Sequence, residues 1–305
     1  MSRLREAGYR MAGRRLDYLL HLRPAEWPIM AVHFLTGAAL AVGIGTQAVN
    51  LWRPLLLATI VWVVALNGGT LALNSAFDQD EGDIAYLRSP PKPPSHLAGF
   101  AMLLMLAGLA GAILLPTGFA AAYLVCFLLS IVYSVPPLRA KGIPGVDWSI
   151  NMAGFGLLTP FAGFAATGRV PDLTQWLILI GFAALFGALY PLTQLYQIEE
   201  DARRGDRTFA IALGAGRSLS ISLGLTAAAF ALLGWAATRS GWWGGPDAAA
   251  RALGLVAALL AWLLVVLPWR IQIARLTSQD QQRRMHHALA AWAVTDAAVL
   301  FAWAR

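Results

Sequence analysis

The chain has 305 residues, 58% of them hydrophobic and 13% charged, with 23 Lys and Arg against 16 Asp and Glu for a formal charge of +7. Soluble domains carry roughly 25% charged residues, so this chain lacks the polar surface to cover a globule in water. Its cations sit almost wholly between apolar runs, which speaks against a nucleic-acid surface and for membrane topology and lipid headgroups.

Residues 1–26 alternate Arg3, Arg5, Arg10, Arg14, Arg15 and Arg23 with Leu4, Tyr9, Met11, Leu16, Leu19 and Leu20. That pattern predicts an amphipathic segment on the cytoplasmic interface, with no signal peptide. From residue 27 to 305 the chain reads as one transmembrane domain. A spanning helix takes about 20 apolar residues, and the runs at 27–46, 54–77, 96–115, 117–136, 149–168, 173–197, 212–237, 251–269 and 286–304 qualify. Gly- and Ala-rich stretches at 99–113 and 210–229 allow close helix approach. His33 in the first run is expected to hydrogen-bond between packed helices, and Asp296 in the last to pair with a neighbour. Cys126 is the only cysteine, so no disulfide forms within the chain, and it reads as a small hydrophobe. With the N-terminus inside, 18 of the 23 cations fall on cytoplasmic segments, leaving Arg53, Arg169, Arg239, Arg251 and Arg305 outside. The bias predicts an N-in, C-out orientation.

Two polar stripes interrupt this apolar background. Asn67, Asn74 and Asp78 are offset by 7 and 4 residues at the end of the second run, which returns them to one helical face. Asp80, Glu81 and Asp83 follow, around Gly82. Gln194, Gln197 and Asp201 do the same at the end of the sixth run, with Glu200 beside them. Polar groups in a membrane helix are costly and normally face a cavity or partner. Carboxylates with amide oxygens are the hard ligands Mg²⁺ prefers, and nearby cations complete a trap for a diphosphate. Asp206, beyond the second stripe, reads as a loop residue.

These residues resemble the UbiA superfamily of intramembrane prenyltransferases, which carries Asn-x-x-x-Asp-x-x-x-Asp after its second helix and Asp-x-x-x-Asp after its sixth. Asn74 and Asp78 match the first motif. Its third acid is shifted to Asp83, with Asp80 as an alternative. Asp201 matches the end of the second motif, and Gln197 stands in place of its first acid, which leaves the number of Mg²⁺ ions open. A third stretch, Tyr133-Ser-Val-Pro-Pro-Leu-Arg139-Ala-Lys141, is similar to one in several family branches. The resemblance implies an all-α integral membrane protein of about nine transmembrane helices around a central cavity, N-terminus cytoplasmic. Metal ligands would be Asn74, Asp78, Asp83, Gln197 and Asp201. Arg88, Lys92, Arg139 and Lys141 would hold the diphosphate, and Tyr133 would face the allylic chain.

The implied function is Mg²⁺-assisted ionisation of an isoprenyl diphosphate and transfer of the prenyl group to an aromatic or other lipophilic acceptor. The expected location is a bacterial or archaeal cytoplasmic membrane. Phe77, Tyr133, Tyr190 and Tyr196 are aromatic residues near the motifs whose faces could steady the carbocation. Two alternatives remain on the sequence. A UbiA-type terpene cyclase would quench the cation within the same chain. A transporter would use the stripes as a cation path, but these acids cluster at one end of the bilayer.

Overall fold

The computed structural model describes residues 3–78, 84, 86–203 and 205–304. Among these the regular structure is helix, apart from one isolated bridge between Ile84 and Leu87. Seven helices are long and apolar enough to cross a membrane: α1 (Pro24–Val42), α2 (Trp52–Asp78), α4 (Thr117–Ser134), α6 (Leu173–Gln197), α7 (Ala215–Ser240), α8 (Ala248–Arg275) and α9 (Ser278–Trp303). Two further helical segments complete the order: α3 (Leu97–Ala112) is a shorter apolar helix, and α5 covers 146–165 with a π-helical centre, Met152–Leu158. The N-terminal segment is helical over Arg3–Ala12 and Leu16–His21.

Local chemistry sets the ends. Gly43, at φ 74°, stops α1 earlier than the apolar run suggested, because only glycine enters that region without strain. The Asp172 side chain accepts from the Gln175 backbone while Gln175 returns the bond, a capping box that starts α6. Thr277 and Asp280 do the same for α9, so that helix begins 8 residues before the expected run at 286, in a polar turn that hydropathy alone overlooks.

Two hydrophobic cores result. One is built from α6 to α9, the other from α2 to α4, and both draw on α1 and α5. The α1–α5 crossing binds them. An added Cβ at Gly37 would lie 1.7 Å from the Pro160 carbonyl oxygen, and one at Gly163 would lie 1.8 Å from that of Phe34. The two backbones are therefore in direct contact, a packing that only glycine permits.

Candidate active site

Between the two cores lies a two-lobed cavity. The first lobe, about 200 Å³, is lined by Trp62, Asn67 and Asn74 of α2, Tyr133 of α4, and Asn151 and Phe155 of α5. The second, about 210 Å³, is lined by His33 of α1, Tyr190 and Tyr196 of α6, and Met285 and Trp292 of α9. Arg23, Met30, Asn151 and Phe155 border both, so the lobes adjoin. The Tyr133 and Tyr190 hydroxyls, one from each lobe, hydrogen-bond at 2.9 Å. π-helical turns occur in α2 (Ile60–Gly68) and in α5, and both contribute to the first lobe through Asn67 and Phe155. Such turns recur at functional sites.

A charged cluster forms beside this cavity at the end of α2. Asp78 is 8% exposed and Asp206 4%, so neither acid has much water to stabilise it. Lys141 Nζ lies 2.5 Å from Asp78 Oδ2 and 3.7 Å from Asp206 Oδ2, and Arg139 donates to Asp78 Oδ1 at 3.3 Å and to Asp206. The two acids and two cations balance in charge. Desolvation works against the charge on Arg139, yet the hydrogen bond it donates to Asp206, with Asp78 behind it, outweighs that and raises its pKa above the ordinary value. The arrangement holds two cations in place, Lys141 buried and Arg139 partly exposed.

The structure brings together Asn74, Asp78, Tyr133, Arg139 and Lys141 from separate helices and one loop. Asp201 is buried, and its carbonyl accepts from the Asp206 backbone at 3.0 Å, which links the second acidic stripe to the cluster. The stripe itself is not one regular face, because a 3-10 turn at Leu195–Gln197 separates α-helical turns on either side. Gln197 sits half-buried at that turn. Gln194 does a different job: it donates to Asp147 Oδ2 at 2.9 Å and accepts from the Ala210 backbone at 3.0 Å, tying the following loop to α5. Arg88 and Lys92 lie against the N-terminal segment, Arg88 in a groove with Arg5 and Arg23, Lys92 in another with Arg14, Arg15 and Asp17. Asp80, Glu81, Gly82 and Asp83 lie outside the described residues, as does the side chain of Glu200.

Two residues of this region carry no sequence motif. Asp206 does lie in a loop, as read from the sequence, but it is also a corner of the charged cluster, and the signal was Gly205 at φ 79°, which turns the chain back toward Asp201. Arg23, taken with the interfacial segment, is buried at the junction of both lobes and reaches Ser75 at 3.4 Å. Its place directly before Pro24, at the mouth of the first apolar run, was the available sign.

A divalent cation can be tested against these donors. Asn74 Oδ1 is buried without a hydrogen-bond partner, and it shares a helix with the Asp78 carboxylate one turn on. Among the described residues no group of three or more His, Cys, Asp or Glu side chains converges as a metal site. Mg²⁺ commonly binds through one or two carboxylates plus substrate phosphates, so this hard-oxygen set fits it.

Comparison with known proteins points the same way. The profile of the UbiA prenyltransferase family matches residues 31–300. A lycopene elongase/hydratase of Halobacterium salinarum is 30% identical over 230 residues, 69% of this chain and 77% of that protein. A probable homogentisate phytyltransferase 2, chloroplastic, of Oryza sativa subsp. japonica is 26% identical, covering 70% of this chain and 59% of its own. Among solved structures, a UbiA homolog from Archaeoglobus fulgidus bound to GPP and Mg²⁺ superimposes with a TM-score of 0.64, covering 93% of this chain and 99% of that one at 18% identity.

Proposed function

The chain belongs to the UbiA prenyltransferase family, and from that premise we propose that it cleaves an isoprenyl diphosphate and transfers the prenyl group to a lipophilic acceptor within the membrane. The observation that carries this reading is the Asp78–Lys141–Arg139–Asp206 cluster beside an apolar two-lobed cavity. Charge suited to a diphosphate sits next to space suited to a hydrocarbon chain.

The donor's diphosphate would lie over Arg139 and Lys141, with Arg23 reaching it from the junction of the lobes. Asn74, Asp78 and Asp201 would hold Mg²⁺, with Gln197 and Asp83 as further ligands in the motif positions. When bound, Mg²⁺ supplies positive charge to the leaving diphosphate oxygens. The guanidinium and ammonium groups share that task, and donors fixed before the reaction need not reorganise during it. Tyr133 and Tyr190 line the lobes, and their rings would steady an allylic cation. The apolar lining keeps water from that cation. Family relatives named for lycopene and for homogentisate support an acceptor that is itself hydrophobic or aromatic.

On this reading α3 and α5 also cross the bilayer, giving nine crossings with the N-terminus in the cytoplasm. The 18 cations on that side support it, and it puts the charged cluster at the cytoplasmic face of a bacterial or archaeal membrane. The test is diphosphate release from geranylgeranyl diphosphate by protein in nanodiscs, with and without Mg²⁺. Release that needs Mg²⁺ and is lost in Asp78→Ala and Asp201→Ala is the expected result. Undiminished release in both variants would remove the assignment.

A further inference from the structure

His33, which lines the second lobe, belongs to a pair of side chains that ionising a diphosphate does not use. His33 of α1 and Asp296 of α9 meet at 2.9 Å between Nδ1 and Oδ1, at 3% and 1% exposure. We propose that His33 is a catalytic base which takes the proton released when the acceptor is prenylated, and that Asp296 is the positioning residue that aims it. This rests on the transfer reading above and adds where the acceptor's reacting carbon sits.

The hydrogen-bond pattern assigns the tautomer. An ionised carboxylate can only accept, so the proton of a neutral imidazole bonded to Asp296 is on Nδ1 and the lone pair is on Nε2. Nε2 is buried and has no hydrogen-bond partner, on a side chain that lines the second lobe. The ring is held edge-on against Phe182 and Trp292, at centroid distances of 4.9 and 4.7 Å. Its orientation is therefore fixed from two sides as well as by Asp296. A pair that only tied α1 to α9 would need neither a carboxylate nor a second ring nitrogen left buried without a partner. Ionisable groups in a membrane interior are costly, and where they occur they mark a function.

The chemistry requires such a base. Ionisation breaks the allylic C–O bond, and the electron pair leaves with the diphosphate. A π pair of the acceptor then forms the new C–C bond, and the adduct carries one positive charge. Loss of a proton from the adduct restores neutrality, and that proton goes to Nε2. The imidazolium so formed is paired with Asp296, as a histidine base is with its orienting carboxylate.

Other polar groups facing the lobe serve less well. The Tyr190 hydroxyl bonds to Tyr133, the Thr193 hydroxyl donates to the Tyr190 carbonyl, and Arg23 is a cation. Tyr86, Tyr196 and Asn151 line it without basic character near neutral pH. Glu26 is the competing base, 4.0 Å from Arg23.

The experiment separates the two halves of the reaction in nanodiscs. Bridge-to-terminal exchange of labelled oxygen in geranylgeranyl diphosphate reads ionisation. Product formation with the acceptor that the unsubstituted protein uses reads transfer. His33→Gln keeps a hydrogen-bonding amide toward Asp296, and Asp296→Asn keeps the shape of its partner. Both should ionise the donor at close to the normal rate, while transfer falls at least about 100-fold in the first and about 10-fold or more in the second. Deuterium at the acceptor's reacting carbon should then slow His33→Gln and leave the unsubstituted protein unaffected. Equal loss of exchange and transfer would show a structural tie and overturn the proposal. So would normal transfer in His33→Gln, or loss of transfer in Glu26→Gln alone. Absence of exchange in the unsubstituted protein would instead remove the transfer reading, and this proposal with it.

Discussion

Asp206 shows what a single side chain contributes. It is 2% exposed at its side chain and faces both Arg139 and Lys141. Removing one partner of a buried charge cluster costs about 3–5 kcal/mol, because the remaining charges lose compensation without regaining water. Asp206→Ala is therefore expected to lower the melting midpoint in detergent and to abolish Mg²⁺-dependent diphosphate release, whereas a solvated loop acid would change neither. Asn74→Ala tests the other side of the site. It removes an oxygen that has no internal partner, so stability should hold within about 1 kcal/mol while the Mg²⁺ needed for half-maximal activity rises. Asn74 and Asp78 were legible because a polar side chain stands out against an apolar run, and Arg139 and Lys141 because the stretch that ends in them resembles one in the family. Asp206 and Arg23 were not, since their roles depend on a chain reversal at Gly205 and on burial of a segment that reads as interfacial. Arg88 and Lys92 lie in grooves with arginines of the N-terminal segment, a neighbourhood that the sequence around the motif did not signal.

Helix positions followed hydropathy closely, and the departures have local causes. Gly43 ended α1 early, and the Thr277–Asp280 box began α9 early. The π-helical turns in α2 and α5 could not be read from a pattern scored at 100° per residue. Close approach was visible only as an excess of Gly and Ala: Gly108, tight against Tyr123 and Ala65, lies in one of the two richest stretches, whereas Gly37 and Gly163 of the α1–α5 crossing lie outside both. Gly163→Ala should be destabilising by about 1–3 kcal/mol or more, because its Cβ would overlap a backbone carbonyl that cannot turn aside. Gly99→Ala meets nothing within 4 Å and should be neutral or slightly stabilising, as alanine is in an open helical position. Thermal unfolding of the two variants side by side makes the comparison. Similar losses in both would place the effect in helix propensity and not in the α1–α5 crossing.

At the level of the molecule, composition pointed to the membrane class and two short motifs to the family that the profile match over residues 31–300 shows. The division into two cores around a two-lobed cavity was not legible, because it depends on which helices meet. Orientation is open to direct labelling. Cys126 is buried, so cysteines introduced at exposed Ser95 and Gly245 can be read against a quiet background. An impermeant thiol reagent added outside intact cells should label Gly245→Cys and leave Ser95→Cys untouched until the membrane is opened. The reverse pattern would invert the topology. The central claim concerns chemistry, and one measurement tests it most directly: the fate of label from geranylgeranyl diphosphate carrying carbon label in its prenyl chain, given to the protein in nanodiscs with Mg²⁺ and a panel of lipophilic acceptors. Label passing from the diphosphate into an acceptor-dependent lipid product, and ceasing when Mg²⁺ is chelated, is the predicted result. Intact diphosphate throughout, with folded protein that carries a cation across proteoliposomes, would contradict it and make the polar stripes a transport path.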